Sequence, residues 1–213
     1  SSACLSDDFG AGLGSWMTAG GWWSVQNGAL GQSSTSGGPY ACTAAGSFSD
    51  FYLEADLVHD AGVGYAGLVF RYQDLGNYYY LWNDGGQIEL RRRVGGSASR
   101  LGDPVAVGPV SGWHHVRIEA RGNNLKAYWD GSLRFEVNDA TFTSGQLGLL
   151  CSQAAARFDN VVATGCAGLP GQAPVLAAVG DRTAFVGVPL VIDLQATDAD
   201  ADPLHFDATG LPA

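Results

Sequence analysis

Ten short apolar runs follow one another between residues 22 and 164, each ended by Gly, Asn, Asp or Ser: WWSVQNGAL, YACTAA, DFYLEADLV, AGLVFRYQ, NYYYLW, QIELRRRV, WHHVRIEAR, NLKAYWDG, GQLGLLCS and ARFDNVVAT. None carries a helical period. Runs of this length rich in Val, Tyr, Phe and Leu and bounded by turn formers read as strands, and ten of them read as a sandwich or barrel. In HHVRIEA, Val116 and Ile118 share one face while Arg117 and Glu119 share the other, so one side of that strand meets water. NNLKAYWDGSLRFEV reads as a hairpin with Asp130-Gly131 at its turn.

A 213-residue chain that is 46% hydrophobic and 15% charged has material for one large core, with room for a smaller piece beside it. No run of eighteen apolar residues occurs, so no membrane-spanning helix is expected. A formal charge of −10 argues against nucleic acid, whose phosphates require a basic footprint. The texture changes after Cys166. Residues 1–167 read as one β-domain and GLPGQAP at 168–174 as a Gly/Pro linker, while residues 175–213 carry strand-like runs around acidic turns and are too short to bury a sandwich core alone.

Cys4, Cys42, Cys151 and Cys166 contain no CxxC pair, which disfavours zinc. Four scattered cysteines in a Gly/Ser/Thr-rich chain read as two disulfides, hence a secreted or cell-surface protein whose leader has been removed. A cytosolic chain with four buried thiols is the alternative.

The stretch GLVFRYQDLGNYYYLWNDGG, residues 67–86, sets more aromatics on one strand than a single face can hold. If Leu68 and Phe70 face the core, Val69 and Arg71 face outward, and Tyr78, Tyr80 and Trp82 become a second aromatic surface. Rings present an apolar platform to a pyranose, and a guanidinium suits vicinal hydroxyls or a carboxylate. Arg71, Tyr78, Tyr80 and Trp82, with Asn77, Glu89 and Arg91 as a polar rim, are therefore the candidate glycan-binding set. The same rings could instead simply cover the sheet. RRRV at 91–94, with Arg100, reads either as a site for an anionic polysaccharide or as a strand paired with neighbouring carboxylates. Trp22 and Trp23 must point to opposite faces if extended; Trp113 and Trp129 read as core or hairpin cover.

The series DDFG, WWSVQNGAL, SFSDFYLEADL, GLVFRYQDLGNYYYLW, WHHVRIEARGNNLKAYWDG, GQLGLLCS and FDNVVAT resembles the laminin-G-like branch of the concanavalin A-like lectin/glucanase superfamily over residues 5–165. The resemblance implies an all-β jelly-roll sandwich of two antiparallel sheets with a ligand site on the concave one. It also implies disulfides Cys4–Cys166 and Cys42–Cys151, and a structural calcium where the termini meet, at Asp7, Asp8 and Asp159. Glucanases of that superfamily carry Glu-x-Asp-x-(x)-Glu on one strand. Here Glu54 and Asp56 match, but His59 replaces the second Glu, which removes the proton donor. A 3-ketoglycoside-cleaving relative of the fold would need little beyond a carboxylate and a metal; no motif points specifically to it. Residues 173–206 resemble the first part of a bacterial Ig-like or cadherin-like repeat, with Asp198, Asp200 and Asp202 as a second calcium set. The expectation is a non-catalytic carbohydrate-binding module. The rivals are an adhesion protein that self-associates by strand exchange through its C-terminal piece, and a sugar-active hydrolase.

Overall fold

The computed structural model describes residues 3–108, 111–166, 175–179 and 194–197. Among these every regular element is a strand: β1 (Ala3–Asp7), β2 (Met17–Ala19), β3 (Trp23–Gln26), β4 (Ala29–Gln32), β5 (Tyr40–Thr43), β6 (Phe51–Asp74), β7 (Asn77–Asn83) and β8 (Gln87–Val94). There follow β9 (Ser97–Arg100), β10 (Val105–Ala106), β11 (His114–Arg121), β12 (Asn124–Trp129), β13 (Ser132–Asn138), β14 (Gln146–Thr164), β15 (Val175–Leu176) and β16 (Ala196–Thr197). The last two pair with each other. Residues 180–193 and 198–213, including Asp198, Asp200 and Asp202, lie outside the described residues.

β6 and β14 organise the sandwich. They pair antiparallel from Gln146↔Tyr72 to Thr164↔Tyr52, through several register shifts. The C-terminal half of β6 also pairs with β7, which leads to β8, β9 and β10, while its N-terminal half pairs with β11, then β12 and β13. The free edge of β14 takes β5, β4 and β1 in turn. One antiparallel ribbon thus runs through both layers of an all-β, jelly-roll-like sandwich.

Alternation sorts the side chains. Phe51, Leu53, Ala55 and Leu57 of β6, then Ala66, Leu68 and Phe70, enter the interior with Tyr79 and Leu81 of β7, and Phe70 stacks on Tyr79 at 5.4 Å. At about 25 cal/mol per Å² of apolar surface, such burial is the chief favourable term. Asp130 (φ 47°) and Gly131 (φ 76°) make the hairpin turn between β12 and β13 in the left-handed region such turns require. Trp23 packs on Phe158 and Trp22 is 76% exposed, the expected split. Trp129 is core, whereas Trp113 is 44% exposed.

A disulfide joins Cys4 to Cys166, tying the start of β1 to the residues just after β14. The second expected bridge is absent: Cys42 and Cys151 are free, buried thiols. Register explains it. Cys42 lies opposite Leu149 and Cys151 opposite Tyr40, so the two are diagonal neighbours. That spacing is about 7–8 Å, beyond ordinary disulfide reach.

Candidate functional site

Arg71 does not face solvent. It sits at a bulge, where four residues of β6 (Val69 to Tyr72) span three of β14 (Gly148 to Gln146), and its φ of 47° is left-handed. The extra residue breaks the alternation and returns Tyr72, rather than Arg71, to the outward face beside Val69. Arg71 is 0% exposed. Its Nε and Nη2 donate to Ser49 O (3.1 and 2.7 Å), Nη2 also to Gly122 O (2.7 Å), and Nη1 to Phe142 O (2.9 Å). The side chain therefore fastens three connecting segments from a position closed to solvent. Asn77 is likewise spent on a turn: its amide donates to Asp74 and accepts from Gly95 N.

Tyr78, Tyr80 and Trp82 do lie on the outward face of the β5–β14–β6–β7–β8 layer, but not as an open platform. They pack with Tyr65, Tyr72, Val69, Ala41 and Leu150 into a second apolar cluster, and are 0%, 1% and 8% exposed. Tyr65 stacks on Trp82 (5.5 Å) and tilts against Tyr80 (5.9 Å); Tyr72 stacks on Tyr78 (5.7 Å). Two rows are legible from the pairing. Ala41, Leu150, Gly67, Trp82 and Glu89 form one, and Thr43, Gly148, Val69, Tyr80, Arg91 and Arg100 the next. Gly67 is obligatory there, since a Cβ would come within 1.8 Å of Leu81 O.

The rim is cationic. Glu89 is buried and accepts from Arg91 Nε (2.6 Å) and from Arg100 Nε and Nη2 (2.8 and 2.9 Å). Burial alone would raise its pKa, but the hydrogen bonds from Arg100 and Arg91 outweigh it and hold the carboxyl below its usual range. Arg91 also lies over the Trp82 ring at 5.3 Å. Arg93 stands opposite Tyr78, whereas Arg92 turns to the other side and pairs with Asp139. Within the RRRV run, Arg91 and Arg92 thus pair with carboxylates, Glu89 and Asp139. Three buried atoms on this face, Tyr78 Oη, Trp82 Nε1 and Arg93 Nε, have no close hydrogen-bond partner among the described residues, though Tyr78 lies beside the Arg93 guanidinium. Burial, then the neighbouring Tyr80, pushes the Tyr65 hydroxyl up to about 12 against the pull of Ser152, Arg93 and Arg91, so it stays neutral and able to donate. Tyr65, Tyr72 and Arg93 were not among the candidates. Tyr65–Gly67–Val69 alternation would have found Tyr65; nothing in the sequence marks Tyr72, whose facing depends on the bulge.

The aspartates of the expected calcium site do not gather. Asp7 Oδ1 accepts from Phe9 N and Oδ2 from Trp16 Nε1, Asp8 accepts from Gly10 N, and Asp159 pairs across the sheet with Asp56 and accepts from Asn160 N. Among the described residues no group of three or more His, Cys, Asp or Glu side chains is arranged to hold a metal ion. Glu54 and Asp56 share an outward face. Asp56 is held by His115 (2.9 Å) and Asn160 (2.8 Å), Glu54 lies 4.0 Å from Arg117, and His59 turns away toward Gly64 O (3.2 Å).

Residues 5–163 match the family described as 3-keto-alpha-glucoside-1,2-lyase-like domains. The chain belongs to that family. It is 30% identical over 158 residues to a levanase of Bacillus subtilis (strain 168), a match that covers 72% of this chain but 23% of the levanase. Among solved structures, the carbohydrate-binding module CBM66 from Bacillus subtilis superposes with a TM-score of 0.65 at 28% identity, over 70% of this chain and 94% of that one. A Bacillus subtilis protein of unknown function with a galectin-like fold gives 0.63 at 12% identity over 78% and 97%, a likeness of fold alone.

Proposed function

We propose that this domain is a non-catalytic carbohydrate-binding module of a secreted or cell-surface protein. The observation that carries the reading is the outward aromatic face, with Tyr65 and Trp82 stacked and Arg91 over the Trp82 ring. A sugar ring laid against Tyr65 and the Trp82 edge would meet the guanidiniums of Arg91 and Arg93 and the Tyr65 hydroxyl. The ligand set is accordingly Tyr65, Trp82, Arg91 and Arg93, without Arg71 or Asn77. Likeness to a levanase and to CBM66 supports a polysaccharide ligand, with levan the first to test. The Cys4–Cys166 bridge supports an oxidising compartment.

Affinity electrophoresis through gels containing levan, inulin, cellulose, pectin, alginate or β-glucan tests this. At least one polysaccharide should retard the protein, and Arg93→Ala should weaken retardation without lowering the melting temperature; no retardation on any gel refutes the proposal. The family description favours a second reading, a lyase acting on 3-keto-glycosides. Release of a keto sugar from such a substrate, abolished in Asp56→Asn, would establish it instead.

A further inference from the structure

A cleft of about 170 Å³ opens elsewhere on the sandwich, between β3, β4 and the middle of β14, lined by Ser24, Gln26, Gly31, Ser33, Asp60 and Arg157 among others. Its construction follows from the strands. Trp23 and Val25 pack against the core, so alternation sends Trp22, Ser24 and Gln26 outward. Gly31, opposite both Ser24 and Arg157, keeps the floor low. Asp60 and Arg157 form a bidentate pair (2.7 and 2.8 Å) through Arg157 Nε and Nη2. The guanidinium lies over the Trp113 ring at 5.4 Å. The Trp22 carbonyl accepts from the N–H of the lining residue Ser33 (3.1 Å), which sets Trp22 next to the cleft.

We infer that this cleft is a second saccharide subsite, taking one neutral hexose ring between Trp22 and the Asp60–Arg157 pair. The volume suits one sugar ring and is too small for a drug-sized ligand. A carboxylate beside a guanidinium presents acceptor and donor side by side, which matches adjacent hydroxyls. Among the described residues each Asp60 oxygen accepts one hydrogen bond, from Arg157, and Arg157 Nη1 takes no part in that pair. Ser24, Gln26 and Ser33 supply further polar groups. Each of two exposed tryptophans neighbours a lining residue, Trp22 (76% exposed) beside Ser33 and Trp113 (44%) under Arg157, and large rings left in water offer a stacking surface. The segment Ser33–Pro39 separates the cleft from the aromatic face, with Gly38 packed on Ser152, so the two sites are distinct. Engaging two rings of one polymer raises avidity without enlarging either site.

The inference rests on the proposed carbohydrate binding, and the test separates the two. Affinity electrophoresis on the same six polysaccharides compares wild type, Trp22→Ala, Asp60→Asn and Arg93→Ala, with melting curves for each. Trp22 is exposed, so its removal should leave stability unchanged. The expected result is about five- to tenfold weaker binding for Trp22→Ala, the loss of one stacked ring, together with weakening by Asp60→Asn. Wild-type affinity in both, alongside weakening by Arg93→Ala, overturns the second subsite and leaves the proposed function intact. Weakening by Trp22→Ala but not by Arg93→Ala upholds the cleft and refutes the aromatic face; wild type binding none of the six refutes both.

Discussion

Replacing Arg71 by Met separates a ligand-gripping arginine from a structural one. The buried guanidinium serves the carbonyls of Ser49, Gly122 and Phe142, with Asp50 3.9 Å away. Methionine fills similar space without donating. Each buried carbonyl left without its donor costs about 1–3 kcal/mol, while relief of the guanidinium's own desolvation offsets part of that. The net loss expected for removing one member of a buried charged network is about 3–5 kcal/mol. For a domain of this size that lowers the melting temperature by about 10 °C. Arg71→Lys, which keeps one point charge but not the fork, should fall between the two. Calorimetry reads the shift, and affinity electrophoresis well below the melting temperature reads binding per folded molecule, which should be unchanged. A shift under about 3 °C, or a loss of glycan affinity at unchanged stability, would show that the carbonyl network is not what Arg71 is for.

Further outcomes follow from the same structure. Reduction of Cys4–Cys166, or Cys4→Ser with Cys166→Ser, opens a loop with 162 residues of sequence separation and should cost about 4–5 kcal/mol by loop-closure entropy, seen as a fall in denaturant midpoint. Burial pushes the Cys42 thiol up to about 12 and Cys151 well above its ordinary value, so a thiol reagent should label neither in the folded protein and both after unfolding without reductant. Glu89 has a lowered pKa in the folded state. Its contribution is therefore full above the ordinary carboxylate value and lost as pH falls through the lowered one, and Glu89→Gln should flatten that acid limb of a stability–pH curve.

Much of the architecture could be read from the chain because each strand keeps a period of two and each turn its residues. Val116 and Ile118 point inward, Asp130-Gly131 turns, and Trp22 and Trp23 part company as alternation requires. The failures share one cause, since a period says nothing about where it is interrupted. The bulge at Arg71 reversed the facing of Tyr72, and no residue type announced it. Cys42 and Cys151 missed each other by a register of two, which depends on pairing rather than on spacing. Tyr78, Tyr80 and Trp82 were placed on the correct face, but their burial needed Tyr65, which reaches them from across the sheet. Asp7 and Asp159 sit on neighbouring strands, yet Asp7 turns inward to Trp16 while Asp159 lies across from Asp56.

The ribbon of β6 and β14 also has a bearing on biosynthesis. Its two strands lie far apart along the chain, and nearly all the other strands hang from one or the other. A ribosome extending this polypeptide releases β1, β4, β5 and β6 before β14, their common partner, exists, so their apolar faces must wait in a loose, chaperone-accessible state. Locking should come late and all at once, when residues 146–164 clear the exit tunnel. A chain halted before Gln146 should hold at most the ladder β10–β8–β7–β6–β11–β12–β13, without the strand that joins β1, β4 and β5 to it.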